Sequence, residues 1–372
     1  MSAARSSNFS LSETRKIVGD LFTPRPWIYW TDFLLSWTVG IVCFRLVRET
    51  PLFSPLQILF FVAAGLAFYR ITIFTHELIH LRDKEFRGFR FAWNLLCGIP
   101  FLMPSFTYYT HMDHHRRKLF GTDKDGEYLP LGTRPPYEIF LYLLQPFVIP
   151  ILAIVRFGIL TPLTWISPRL RELVYQRASS MVSDPSYIRP MPTSKDLKII
   201  RLQELAVFGF LLIVTIGLIR QQREVFQQPM FLLTHAYLTA VFILMLNAIR
   251  TLGAHRYTNH GEEMTFVDQL LDSVNYPRRP ILTELWAPLG MRFHALHHLF
   301  PGMPYHNLPA AHRRLMEQLP SDSPYRQTEC DSLPSALAEL WRAACQSRQH
   351  QQQRDRSEAQ MTREHGSLHR SA

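Results

Sequence analysis

Two stretches of this chain share the pattern H-x-x-H-H: His111-Met112-Asp113-His114-His115 and His294-Ala295-Leu296-His297-His298. A third cluster, His76-Glu77-Leu78-Ile79-His80, lies upstream. On a helix, positions i, i+3 and i+4 share a face, so each H-x-x-H-H run is expected to aim three imidazoles at one point. His76 and His80 add two more. These eight residues are half of the 16 histidines in the chain. Neutral imidazole is the commonest side-chain ligand for transition metals. An isolated core histidine is more often hydrogen-bonded than metal-bound, and His235, alone in an apolar run, is read that way. Three clusters at ligand spacing reverse that reading. Eight nitrogens are too many for one ion. Two ions with four or five nitrogens each fit, with positions left for dioxygen. A structural zinc site would be closed and would rarely use so many histidines.

The first cluster also matches H-E-x-x-H, the zinc-protease signature, in which Glu77 would be the general base. That reading leaves both H-x-x-H-H runs unexplained. The chain also lacks the N-x-x-P-x-x-x-x-D-G element of intramembrane zinc proteases. Glu77 is instead expected to orient a ligand by hydrogen bond. No G-x-G-x-x-G is present for a dinucleotide and no H-P-G-G for haem. The four cysteines, Cys43, Cys97, Cys330 and Cys345, form no C-x-x-C, which argues against an iron–sulfur cluster or a disulfide framework. Reducing electrons for an oxygen-activating centre must therefore come from a separate protein. The basic loops 116–124 and 167–201 offer a surface to an acidic carrier or to anionic lipid.

The elements that position the clusters are apolar. The chain has 372 residues and a formal net charge of +10. Its Lys and Arg gather in loops beside long apolar runs, the pattern of a membrane protein rather than of a nucleic-acid binder. Four spans are expected, at about 27–47, 55–74, 205–219 and 230–246. Segment 91–104 is too short to cross and is read as interfacial. Segment 139–166 is interrupted by Pro146, Pro150 and Arg156 and is also read as interfacial or re-entrant. The three clusters can share metals only from one side of the membrane, so an even number of spans must separate them. Zero spans between the first two clusters and two between the second and third satisfy that. The tips 49–54 and 221–228 then face the opposite side and are poor in Lys and Arg, which places the clusters on the cytoplasmic side. Residues 1–345 form one membrane-bound unit. The Gln-, Arg- and Ser-rich segment 346–372 is expected to be disordered.

Over residues 55 to 320 the chain resembles the membrane-bound fatty acid desaturases. The three histidine boxes carry the likeness, together with the continuation HHLFPGMPYHNLPAAHRRL, which is similar chiefly to bacterial members. The resemblance implies an all-α integral membrane fold of four transmembrane helices under a cytoplasmic helical cap. It implies two non-haem irons held by histidines and an acyl chain in a bent tunnel. The implied reaction makes a cis double bond in an acyl lipid, using dioxygen and two electrons from a ferredoxin- or cytochrome b5-type carrier. A bacterial inner membrane is the implied location. Box one is H-x-x-x-H, unlike the acyl-CoA Δ9 enzymes, and box three opens with His294 where front-end desaturases carry Gln. Both features resemble the acyl-lipid group. Carotenoid ketolases and hydroxylases and alkane hydroxylases share similar boxes, and their chemistry stays open as an alternative.

Two ions with four and five nitrogens need nine donors, and the boxes supply eight. His255 follows the fourth span at the depth expected of His76 after the second, and desaturases of known fold have a ligand at the corresponding place. Some also carry an Asn four residues earlier that holds a metal-bound water. Thr251 stands there in this chain, which leaves that water in doubt. His260 competes for the ninth place, but on a continuing helix it would lie well off the face of His255. It is expected to be exposed or bonded to Glu262 or Glu263.

Overall fold

The computed structural model of the chain describes residues 9–81, 86–221 and 227–368. Most of the tip 221–228 lies outside the described residues. The fold is helical, and among the described residues β-pairing is limited to isolated bridges. Eight helices matter for the site. They are α1 (Pro26–Glu49), α2 (Pro55–His80), α3 (His111–His114), α4 (Tyr137–Ile154), α5 (Ser194–Gln221), α6 (Gln227–Leu252), α7 (His294–Leu299) and α8 (Leu333–Leu368).

Helix α2 is the central post. The Ser54 side chain accepts from the Gln57 amide and Pro55 fills the first turn, so its start is capped twice. Its apolar run is long enough to cross a bilayer, and half of it is buried by neighbouring helices. Two glycines allow that close packing. A Cβ on Gly40 would collide with Phe68, and one on Gly65 with Phe242, so α1 and α6 approach α2 through these gaps. The other long helices keep much of their apolar surface exposed, including Leu35, Phe140, Leu202, Ile213 and Leu238. In water such a surface would drive aggregation; in lipid it is the solvated face.

Two arginines within the apolar helices, Arg70 and Arg156, are paired. Arg70 reaches Asp32 through two 2.6 Å hydrogen bonds and Glu284 at 3.0 Å, and Tyr305 donates to the same Asp32 at 2.8 Å. Arg156 is buried against Glu204 and also donates to the Ala178 carbonyl and the Ser179 and Thr161 hydroxyls. Removing either partner of that pair would leave a bare charge in a low-dielectric interior.

Five helices, not four, are long and apolar enough to cross a membrane, the additional one being Tyr137–Ile166. It runs on from α4 through a π-helical turn, Val155–Leu160, to a last helical turn at Thr161–Ile166. Near its start, Tyr142 packs with Ala248 and Leu252 at the end of α6. Near its far end, Phe157 packs with Phe106 and Ile200, and Phe106 lies just before the second histidine box. Both parts of this helix therefore touch elements on the histidine side.

Of the segment 346–372, residues 369–372 lie outside the described residues. Helix α8 runs to Leu368. Leu340 and Ala344 pack against the end of α6, and Ser347 donates to the Thr133 carbonyl at 2.6 Å. A stretch rich in Gln, Arg, Glu and Ala has good helix propensity once such an anchored turn starts it.

Candidate metal centre

All three boxes lie at helix ends on one side of the bundle. His76 and His80 occupy the last turns of α2. His111 and His114 form α3, and His115 caps it. His294, His297 and His298 lie on α7. That helix is held by Asn275, whose side chain accepts from the Leu296 amide at 3.1 Å and donates to Thr328 at 2.8 Å. Helix α6 ends at Leu252, and His255 lies just beyond it in an antiparallel bridge to Ser273. His260 is exposed and outside the centre. The reason differs from the helical rotation expected from the sequence: the helix has already ended. His235 is far from the centre and stacks on Phe44 at 4.0 Å.

The nine histidines form two groups. His76, His80, His111, His115 and His297 make a group of five, and His114, His255, His294 and His298 a group of four. Within each group the facing ring nitrogens lie within 4.8 Å of one another. This corrects the expectation that each H-x-x-H-H run aims at one point. At about 100° per residue, i+4 falls about 40° past i, whereas i+3 falls about 60° short of it. His111 and His115 therefore stay together, as do His294 and His298. His114 crosses to the group of box three, and His297 crosses to the group of boxes one and two. Each group is thereby tied to both α3 and α7.

The spacing suits metal ions. His111 and His115 Nε2 are 2.9 Å apart, His115 and His297 Nε2 3.1 Å, His255 and His294 Nε2 2.9 Å, and His294 and His298 Nε2 3.1 Å. Adjacent donors on one ion with bonds of about 2.1 Å would stand about 3 Å apart. Hydrogen bonding alone does not account for the cluster. Both ring nitrogens of His76 and Nε2 of His80 are buried with no hydrogen-bond partner, a costly state for polar atoms that a metal would relieve.

The outward nitrogens are held by carboxylates. His111 Nδ1 faces both Glu127 oxygens at 2.9 and 3.0 Å. His114 Nδ1 donates to Asp125 at 2.8 Å. His255 Nδ1 lies 3.2 Å from Asp272 and 3.3 Å from the Ser273 hydroxyl. A proton held on Nδ1 leaves the Nε2 lone pair pointing inward. Burial drives His111, His115, His294, His297 and His298 well below the usual histidine pKa, so they stay neutral as ligands must. Burial would also lower His114, but the adjacent Asp125 outweighs it and raises that group. Burial would raise Asp125, yet His114 and two backbone N–H groups hold it below its usual value. None of these carboxylates was singled out from the sequence. The available signal was Asp123, Asp125 and Glu127, three acids shortly after box two in a loop that opens with Arg116, Arg117 and Lys118.

Glu77, expected to orient a ligand, does not. It accepts from the Tyr29 hydroxyl at 2.8 Å and from the Tyr305 amide at 3.4 Å. One residue past His76, it is turned about 100° away from the ligand face. It fastens α1 and the Tyr305 loop to α2, which removes the general base that a zinc protease would need.

Phe120 covers the four-histidine group, with ring centres 5.1 Å from His114, 5.4 Å from His298 and 5.5 Å from His255. A cavity of about 270 Å³ lies between α2, α4 and α6, and His76, His111, His114, His255 and His294 are among its lining residues. Residues 53–329 match the family model described as fatty acid desaturase. The chain belongs to that family. A protein of Caulobacter vibrioides (strain NA1000 / CB15N) named a ceramide hydroxylase is 37% identical over 346 residues, which covers 91% of this chain and 95% of that protein. The chain is thus a member of the membrane desaturase and hydroxylase group, an oxidoreductase of lipid metabolism with membrane helices and histidine clusters able to hold metal.

Proposed function

We propose that this chain hydroxylates an aliphatic carbon of a ceramide-type lipid. Two irons would be held by the five- and four-histidine groups. The balance is R–H + O2 + 2 e⁻ + 2 H⁺ → R–OH + H2O. Iron supplies the activation of dioxygen that attack on an unactivated C–H bond requires. The protein's own residues do the rest. Asp125, Glu127 and Asp272 hold the Nδ1 protons, Phe120 shields the four-histidine group from water, and the cavity presents the lipid.

The observation that carries this reading is the cavity. It joins the histidines to the lipid-facing helices, yet it is lined by Gln145, Asn247, Arg250 and Thr251 as well as by Ile149 and Leu244. A bare hydrocarbon chain has no use for these polar groups, whereas an amide-bearing lipid does. The full-length likeness to a ceramide hydroxylase supports the same choice. Desaturation of an acyl chain, which the family description favours, uses the same two electrons but releases a second water: –CH2–CH2– + O2 + 2 e⁻ + 2 H⁺ → –CH=CH– + 2 H2O.

The electrons would come from an acidic carrier. Arg116, Arg117, Lys118 and Lys124 are exposed immediately after His115 and give it a docking face beside the centre. The membrane would be a bacterial inner membrane with the centre on its cytoplasmic side. Helix Tyr137–Ile166 would lie along the interface, which keeps the number of crossings between boxes two and three even. The test is expression in a host fed ceramide and lacking hydroxylated sphingolipids, with mass spectrometry of total lipids. A ceramide heavier by one oxygen is expected. Acyl chains lighter by two hydrogens, with no oxygenated ceramide, would establish the desaturase instead.

A further inference from the structure

Arg250 lines the cavity, and the centre does not explain its state. It lies near the end of α6, in an apolar helix, with 9% of its surface exposed. No ion pair to it occurs among the described residues. Its guanidinium donates to the Asn247 side chain at 3.2 Å and the Thr251 hydroxyl at 3.1 Å, both from one terminal nitrogen. Its Nε–H is buried with no acceptor. An unsatisfied donor on a buried cation costs more than one on a neutral group, and the three residues share one stripe of α6. The stripe faces the same cavity that the histidines close.

We propose that Arg250 binds an uncharged oxygen acceptor of the lipid, the carbonyl of an amide, and thereby sets which carbon is oxidised. This rests on the reading that the cavity takes the lipid. Asn247, Thr251 and Gln145 offer donors and acceptors together, the complement of an amide with neighbouring hydroxyls rather than of a phosphate. Arg250 and the ligand histidines line one and the same cavity. An amide seated on Arg250 therefore keeps the oxidised carbon within a few bonds of the polar group, with the hydrocarbon chain passing out between the helices. Attack on a remote mid-chain methylene would leave Arg250 without a role.

The experiment uses host membranes containing the full chain, C16 ceramide as the probe, and purified protein for iron analysis. Arg250→Gln is expected to keep its iron while losing about 10- to 100-fold in kcat/KM, the usual size of a lost hydrogen bond to a charged donor. Its product should spread over more than one carbon, an outcome that a merely structural role would not produce. Unchanged kcat/KM with a single product position would overturn the assignment. If Arg250→Gln does not accumulate, Arg250→Lys decides. It keeps the charge but not the fork, so a broadened product set is expected and one unchanged position overturns the proposal. A wild type that prefers palmitate to ceramide, with the preference lost in either variant, would overturn the neutral acceptor. Wild-type membranes that oxidise no lipid at all would instead sink the proposed function, whatever Arg250 does.

Discussion

His298→Ala is expected to abolish lipid oxidation while the protein still reaches the membrane, and to lower the bound iron from about two to about one per chain. The argument is one of donor number. His298 belongs to the four-nitrogen group, so its loss leaves His114, His255 and His294. His255→Gln should behave in the same way. His80→Ala removes a donor from the five-nitrogen group and leaves four. It should therefore keep more of its iron, although turnover still falls by more than the ~100-fold that marks the upper end for residues acting behind a ligand. His260→Gln is the control and should change neither quantity, because that side chain is exposed and outside both groups. Iron counted on purified variants, beside product measured in the same membranes, checks all four. Equal iron loss in His298→Ala and His80→Ala would contradict the division into four and five.

Asp125→Asn is expected to weaken one iron and spare the other. Asp125 takes the Nδ1 proton of His114 and also accepts from the Gly121 and Glu127 amides, both at 3.0 Å. Asn keeps an oxygen for the loop but removes the charge that holds His114 in its ligand tautomer. Outer partners of this kind are worth about 10–100-fold in metal affinity. Chelator competition should show one iron released at about that much lower chelator concentration, with the second unchanged. Release of both together would mean that the loop, not the proton on Nδ1, is what Asp125 supports.

These expectations mark where the sequence was legible. Eight of the nine histidines stood out because i, i+3 and i+4 spacing is a local property of a helix. His255 could be found because depth after a span is also local. The division of each box between two groups was not legible. It follows from the angle between α3 and α7, which depends on contacts such as that of Asn275 with Leu296 and Thr328. The carboxylates behind the ligands were hidden for the same reason. His255 meets Asp272 only because the chain doubles back through a bridge at Ser273. Glu77 misled because a motif fixes residue types but not directions; one residue of helix turned it toward Tyr29. Segment 139–166 was ambiguous because length and hydropathy report the capacity to cross, whereas Phe157 beside Phe106 reports where the helix goes.

The central claim is a two-iron centre built from nine histidines. Metal analysis of the purified wild-type chain tests it most directly. About two irons per chain are expected, both lost in a variant carrying His80→Ala, His115→Ala and His298→Ala together. A single zinc per chain, or two metals retained in that triple variant, would contradict it.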